Sequence, residues 1–292
     1  MTALIPYEGD AFRRMHEPSS RYLGASFVPA LVLPATKRPA FMASPYERAL
    51  AILGKRPMKD PDGMEVIRGK DLEPATICQL QRHGFEARPL NHYAQHPDCE
   101  WFIASPDFEL DDGRLGEGKV PCDWEQWLSG PPLHVQVQNQ WQLYCAGRAS
   151  GMITALFVDQ YSIEIKWWMT ERNESVIGLL IDKARQFLDL IDRGQAWGPD
   201  ESKSSYRALQ DVIEVNETEQ IQLGGLDHVE RLLAWRQARK DRLAAEKAED
   251  ACKYWFASRA GTAGIIATDN GPIFRTKVEP KGKAPYFRWG GI

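Results

Sequence analysis

The sequence predicts an α/β protein in which a central mixed β-sheet has helices on both faces and a helix-and-hairpin extension follows toward the C-terminal end. Three observations predict it. Capped, amphipathic helical patterns stand on both sides of a block of β-branched and aromatic residues, two strand-like runs in that block flank a tight DDG turn, and 292 residues leave room for one substantial core plus an appended segment.

Residues 1 to 40 read as loop and short elements, because prolines at 6, 18, 29, 34 and 39 interrupt each pattern that starts. In "SPYERALAILGK", Ser44 is placed to cap a helix with Pro45 at its first position and Glu47 at its third. A second helix runs from about Met64 to His83 and closes at Gly84; Pro74 inside it predicts a kink or a restart, since proline removes a backbone donor. From Glu86 to Lys119 the pattern changes to strands, with "CEWFIASPDFEL" and "RLGEGKV" on either side of the turn. "PPLHVQVQNQWQLYCAG" is read as a helix after a proline stop, although "HVQVQ" alternates as a strand does. "SGMITALFVDQYSIEIKWWM" suits two antiparallel strands. "ERNESVIGLLIDKARQFLDLIDRG" suits an amphipathic helix with Val176, Leu179, Leu180, Lys183, Phe187 and Leu190 near one face. The linker "GQAWGPDESKSS" divides the chain into a core of residues 1–200 and an extension of residues 201–292. That extension is a charged helix over 226–259 and a basic tail with turns at Asn270-Gly271 and Lys281-Gly282.

Composition narrows the class without naming a function. With 43% hydrophobic and 26% charged residues and a mean hydropathy of −0.44, this is ordinary globular composition. The net charge of −4 neither requires nor excludes a nucleic-acid partner, since an acidic metal cleft and basic patches can cancel in the sum. Five cysteines without a CxxC pair read as free thiols in a reducing cytoplasm. No signal-peptide core and no membrane-length apolar run is evident, and six histidines without HxH or HExxH spacing argue against zinc.

Two segments place an acid two residues before a lysine. Along a strand such residues share a face, ~6.6 Å apart at ~3.3 Å per residue, so Glu117 and Lys119 project together, as do Glu164 and Lys166. Only the first pair has an acid, Asp107, across a turn where strand pairing can bring it beside Glu117. Two carboxylates with a lysine one step along suit a magnesium-dependent phosphodiesterase: acids hold a hard cation through oxygen, and the lysine steadies the attacking water or the developing charge. Glu164 and Lys166 read as the solvent face of a half-buried strand with Ile163 and Ile165 inward.

The order "GKDLEP", "SPD", "ExK" and a "QVQ" helix resembles the lambda-exonuclease-like, YqaJ-type viral recombinase family, which has the PD-(D/E)XK restriction-endonuclease-like fold. "YLGAS", "SPYERALAILGK" and "ERNESVIGLLIDKARQFLDLI" extend the resemblance over about residues 20 to 210. It implies Asp107, Glu117 and the Gly118 carbonyl as metal ligands, Lys119 as catalytic lysine, Glu73 as the helix acid that completes the site, and Gln136 as the active-site glutamine, with Gln138 one step off. Ser26 and Arg21 resemble the pair that recognises a 5′-phosphate, with Arg14, Lys37 or Arg38 as alternatives for the arginine. Two positions depart from the pattern: Gly118 stands where the family has an apolar residue, and Phe27 where it often has an acid.

The resemblance implies a Mg2+-dependent deoxyribonuclease, with Mn2+ able to substitute. It would degrade linear double-stranded DNA 5′→3′ to leave 3′ single strands for an annealing protein, as a homo-oligomeric ring in the host cytoplasm. A catalytically weak DNA-end-binding or partner-recruiting module on the same fold is the second reading, and an enzyme acting on small phosphate esters the third. Trp124, Trp127 and Trp141 read as core or subunit packing before base stacking. The cluster "RQARKDR" stays open between a solvated face, an oligomer contact and a DNA-backbone patch.

Overall fold

The computed structural model describes residues 2–17, 19–57, 64–159, 162–213, 225–260, 265–268, 271–277 and 286–289. It divides into two compact units, Met1–Val215 and Asn216–Ile292. The first unit opens with strand β1 (Ala3–Pro6), helices α1 (Gly9–Met15) and α2 (Pro29–Val32), then α3 (Pro45–Ile52) and α4 (Met64–Arg82). Strands β2 (Ala87–Pro89), β3 (His92–Gln95), β4 (Ile103–Ala104), β5 (Phe108–Leu110) and β6 (Leu115–Lys119) come next. They lead into α5 (Leu133–Ala146), β7 (Ser150–Val158), β8 (Ile163–Glu171), α6 (Glu174–Asp192) and α7 (Lys203–Val212).

The main sheet has the order β2-β5-β6-β7-β8. β5 and β6 form the hairpin expected around the DDG turn, with Phe108 opposite Gly116. β6 runs parallel to β7 from Leu115↔Gly151 to Lys119↔Ala155, which requires a crossover, and α5 supplies it. β8 returns antiparallel to β7 along its whole length. One face of the sheet packs Phe108, Leu110, Met152, Leu156 and Ile165 against Ile77 and Leu80 of α4. On the other, Ile153 and Ala155 meet Val135 of α5 and Trp127. Period-two alternation along β7 therefore serves two cores at once.

Beyond α5, Trp141 and Phe102 join Leu180, Phe187, Leu188 and Ile191 of α6 in a further core. Buried Trp141 donates its indole N–H to the carbonyls of Leu23 and Ile103, at 3.2 and 3.1 Å. That pins the Tyr22–Phe27 segment, which is also bridged at Leu23↔Phe102. β1, β3 and β4 make a smaller separate sheet.

Local signals set most helix starts. Ser44 accepts from the Glu47 amide at 3.1 Å, the cap expected for α3, and Asn173 does the same for Val176 of α6 at 3.1 Å; each cap contributes ~1 kcal/mol. α4 continues through Pro74 without a restart. The buried face of α6 is Ile177, Leu180, Ala184, Phe187, Leu188 and Ile191. Leu179 is exposed and Lys183 pairs outward with Gln186, so the helix is rotated from the expected face because its larger apolar set lies one step round. The segment read as a linker is docked: Trp197 lies against Phe187, and α7 packs Ala208 on Tyr46 and Leu50 of α3. The first unit thus extends past residue 200.

The second unit holds α8 (Leu226–Ala260) and strands β9 (Ile265–Thr268), β10 (Gly271–Lys277) and β11 (Tyr286–Trp289), ordered β11-β10-β9 with antiparallel neighbours. The turn residues Asn270, Lys281 and Gly282 lie outside the described residues. Among the described residues no helix is long and apolar enough to cross a membrane.

Candidate active site

Asp107 stands immediately before β5, and its amide donates to the Gly116 carbonyl at 2.9 Å. Continuing the hairpin register by one residue sets it opposite Glu117. Its Oδ2 accepts the Gly118 amide at 2.7 Å, and the Lys119 ammonium ion-pairs with Glu117. Glu117 and Lys119, singled out from strand parity, and Asp107, from pairing across the turn, are therefore together at the centre of the sheet. Glu73, on α4, belongs to the same electrostatic neighbourhood, since Glu117 helps to raise its pKa.

Helix α5 closes the other side of Glu117. Gln138 donates Nε2–H to Glu117 Oε1 at 2.6 Å, and Gln142 donates to Oε2 of the same carboxylate. Gln136, the glutamine favoured from sequence, is exposed and turns to the Pro131 carbonyl at 2.6 Å. Two residues along a helix amount to about 200° of rotation, so Gln136 and Gln138 cannot face one carboxylate. The i, i+4 spacing of Gln138 and Gln142 in "QNQWQ" is the signal that places both on one face.

Two further residues escaped sequence reading. The Tyr7 hydroxyl bonds to Ser105 Oγ, and Thr76 of α4 would lie 3.5 Å from a methyl placed on Gly118. Gly118 is half-buried, and β6 keeps an unbroken register through it. An added methyl there would meet Asp107, Thr76 and Thr154 at 3.5 to 3.7 Å, ordinary contact distances, so this departure from the family pattern does not disturb the strand. Gly116 is the glycine that the hairpin requires: the Phe108 ring would lie 2.0 Å from its added methyl.

The electrostatics are those of crowded acids. Burial, reinforced by Glu117, raises the Asp107 carboxyl well above its ordinary pKa, against the opposing pull of Lys119 and the Gly118 amide. Burial and then Glu117 raise Glu73. Burial pushes Tyr7 up to about 12, with smaller contributions from Asp107 and Glu73. Burial works against the Lys119 charge, yet Glu117 and Asp107 hold its pKa above the ordinary value. Carboxylates that repel one another around a protonated lysine make a site of excess negative potential.

The remaining predicted residues lie apart from this arrangement of contacts. Arg21 pairs with Asp192 of α6 and lies over the Trp101 ring. Arg38 pairs with Asp200, while its Nε and Nη1 are buried without a partner among the described residues. Ser26 and Lys37 are exposed. Phe27 packs edge-on to Phe187. Trp127 and Trp141 are core and Trp124 is exposed. Glu164 and Lys166 pair at 3.6 Å on the surface, as expected of a solvent face; Ile165 points inward, but Ile163 at the strand end is exposed.

No family model and no curated protein matches the sequence. Among solved structures the chain is similar to an alkaline exonuclease (LHK-Exo) from Laribacter hongkongensis, at 22% identity over 59% of this chain and 89% of that one, with a TM-score of 0.48. The same protein in complex with dAMP gives 22% identity, 61% and 92% coverage and a TM-score of 0.49. A phage related exonuclease from Haemophilus somnus 129PT gives 10% identity, 59% and 94% coverage and a TM-score of 0.45. Within this chain, one mixed sheet flanked by helices carries Asp107, Glu117 and Lys119 at its centre, which is the architecture that the lambda-exonuclease-like resemblance implies.

Proposed function

We propose that the chain is a Mg2+-dependent DNA exonuclease of the phage-recombination type. The observation that carries this reading is the convergence of Asp107, Glu117 and Lys119 at the centre of the sheet under the amides of Gln138 and Gln142. Magnesium suits such a site better than zinc, because it binds through one or two carboxylates and keeps several waters. Asp107 and Glu117, with the Gly118 carbonyl, would hold it. Their closeness supports this: burial first and Glu117 second raise the Asp107 carboxyl, and a cation between the two acids would favour their ionised forms.

A bound Mg2+ supplies Lewis acidity toward the phosphate and lowers the pKa of water. The chain's own residues do the rest. Lys119, kept protonated by Glu117 and Asp107, stabilises the charge that develops on the phosphoryl oxygens during in-line displacement. Gln138 and Gln142 hold Glu117 in one orientation, so that its carboxylate geometry is set before substrate arrives.

For end recognition we assign Arg38, because its guanidinium has two nitrogens, Nε and Nη1, without a partner among the described residues, and this group suits a phosphate. Digestion of linear duplex from the 5′ end, release of a 3′ strand to an annealing protein, and a ring-shaped homo-oligomer complete the reading. The test is a duplex labelled at either end, with and without a 5′-phosphate, in Mg2+, Mn2+ or EDTA. Loss of 5′ label first, only with metal, is expected, with Arg38→Ala erasing the preference for phosphorylated ends. Equal loss in EDTA would overturn the assignment.

A further inference from the structure

Helix α8 spans 35 residues, about 52 Å at 1.5 Å per residue, and residues 225–252 are exposed throughout. Its large apolar side chains are exposed on several faces: Leu232 at 44%, Leu243 at 43% and Tyr254 at 70% on one, and Leu226, Leu233, Trp235 and Trp255 on others. At 100° per residue, Leu232, Arg236, Leu243, Asp250 and Tyr254 fall within one narrow stripe. Helices of this kind gain most of their stability by burying such a stripe rather than from propensity.

The charges say what covers it. Residues 231–242 carry Arg231, Arg236, Arg239, Lys240 and Arg242 against Asp241, whereas residues 246–250 carry Glu246, Glu249 and Asp250 against Lys247. Leu243 sits between the two blocks. Arg236 and Asp250 lie seven residues to either side of it, and Leu232 and Tyr254 eleven. Parallel pairing with another α8 would set Arg236 on Arg236 and Asp250 on Asp250. Antiparallel pairing about a two-fold axis at Leu243 sets Arg236 on Asp250, Leu232 on Tyr254, and Arg239 beside Glu246. Lys240 and Lys247 share one flank, where their stems can cover the seam while the ammonium groups reach water.

We propose that α8 pairs with α8 of a second copy of this chain as an antiparallel, two-fold coiled coil centred on Leu243. The interface is isologous, each copy offering the same stripe, and a charged pair within the seam fixes direction and register. The inference stands on the helix alone and does not depend on the nuclease reading.

Site-directed cross-linking of the full-length protein tests it, in a Cys252→Ser background that removes the exposed native thiol of this helix. Under mild oxidation Leu243→Cys forms a covalent dimer beyond the parent's background. Leu232→Cys alone does not, but a mixture of the Leu232→Cys and Tyr254→Cys proteins does. In sedimentation, Arg236→Asp halves the mass of the particle, and Arg236→Asp with Asp250→Arg restores it. Self-linking of Leu232→Cys, absence of any Leu243→Cys dimer, or failure of the swapped pair to restore the mass overturns the proposal. So does an Arg236→Asp protein of unchanged mass that has lost duplex DNA, which would make the basic block a phosphate contact.

Discussion

Gln138 of α5 reaches across to β6 and donates to Glu117 at 2.6 Å, while its near neighbour Gln136 is turned to Pro131. A carboxylate held by two amides keeps one orientation, and each buried hydrogen bond contributes ~1 kcal/mol net. Gln138→Ala is expected to lower duplex digestion by about tenfold or more, and Gln136→Ala to leave it within twofold. Initial rates on end-labelled duplex decide between them; the reverse order would return the role to Gln136.

Lys119→Ala removes the ammonium that pairs with Glu117. Cutting should fall by about a hundredfold or more, the scale seen when a single charge-stabilising donor is lost, with duplex binding retained in a gel-shift assay. A variant that cuts at the wild-type rate would refute the catalytic assignment.

The raised Asp107 carboxyl has a thermodynamic sign. Between its ordinary pKa and its raised value, the folded chain binds a proton that the unfolded chain has released, so stability falls as pH rises through that window. Asp107→Asn cannot ionise and still accepts from Gly118. In EDTA at neutral pH it should melt higher than wild type. Mg2+ should raise the melting temperature of wild type and not of the variant. A variant that melts lower in EDTA, or that still responds to Mg2+, contradicts the site.

Two glycines of β6 should behave oppositely. Gly116→Ala drives a methyl to 2.0 Å from the buried Phe108 ring, and overpacking of this kind costs ~1–3 kcal/mol or more. Gly118→Ala meets its neighbours at 3.5 Å or beyond and should stay within about 0.5 kcal/mol of wild type. Urea denaturation with unchanged m-values provides the comparison.

Asp200 is held down at about 2, burial acting upward but outweighed by hydrogen bonds from Ser202, Arg38 and Ser205. A depressed carboxyl contributes stability that is present above its unfolded pKa and lost as pH falls toward the folded value. Acid unfolding between about pH 4 and pH 2 should therefore be steeper in wild type than in Asp200→Asn. At neutral pH the variant should be less stable by about 1 kcal/mol, after allowance for solvent screening. Parallel acid titrations of the two proteins would expose an error in this sign.

What the sequence determined by itself was local. Strand parity put Glu117 and Lys119 on one face, the DDG turn carried Asp107 back to them, and side-chain caps such as Ser44 set helix starts. Each follows from a few consecutive residues and the geometry of one element. Only the tertiary structure decided the rest. Which glutamine reaches Glu117 depends on the rotation of α5 about its axis, fixed by the long-range burial of Val135 and Trp141. The face of α6 and the docking of residues 195–212 were settled in the same way, as was the burial that raises Asp107. Packing energy is summed over side chains distant in sequence, and a single segment carries no record of that sum.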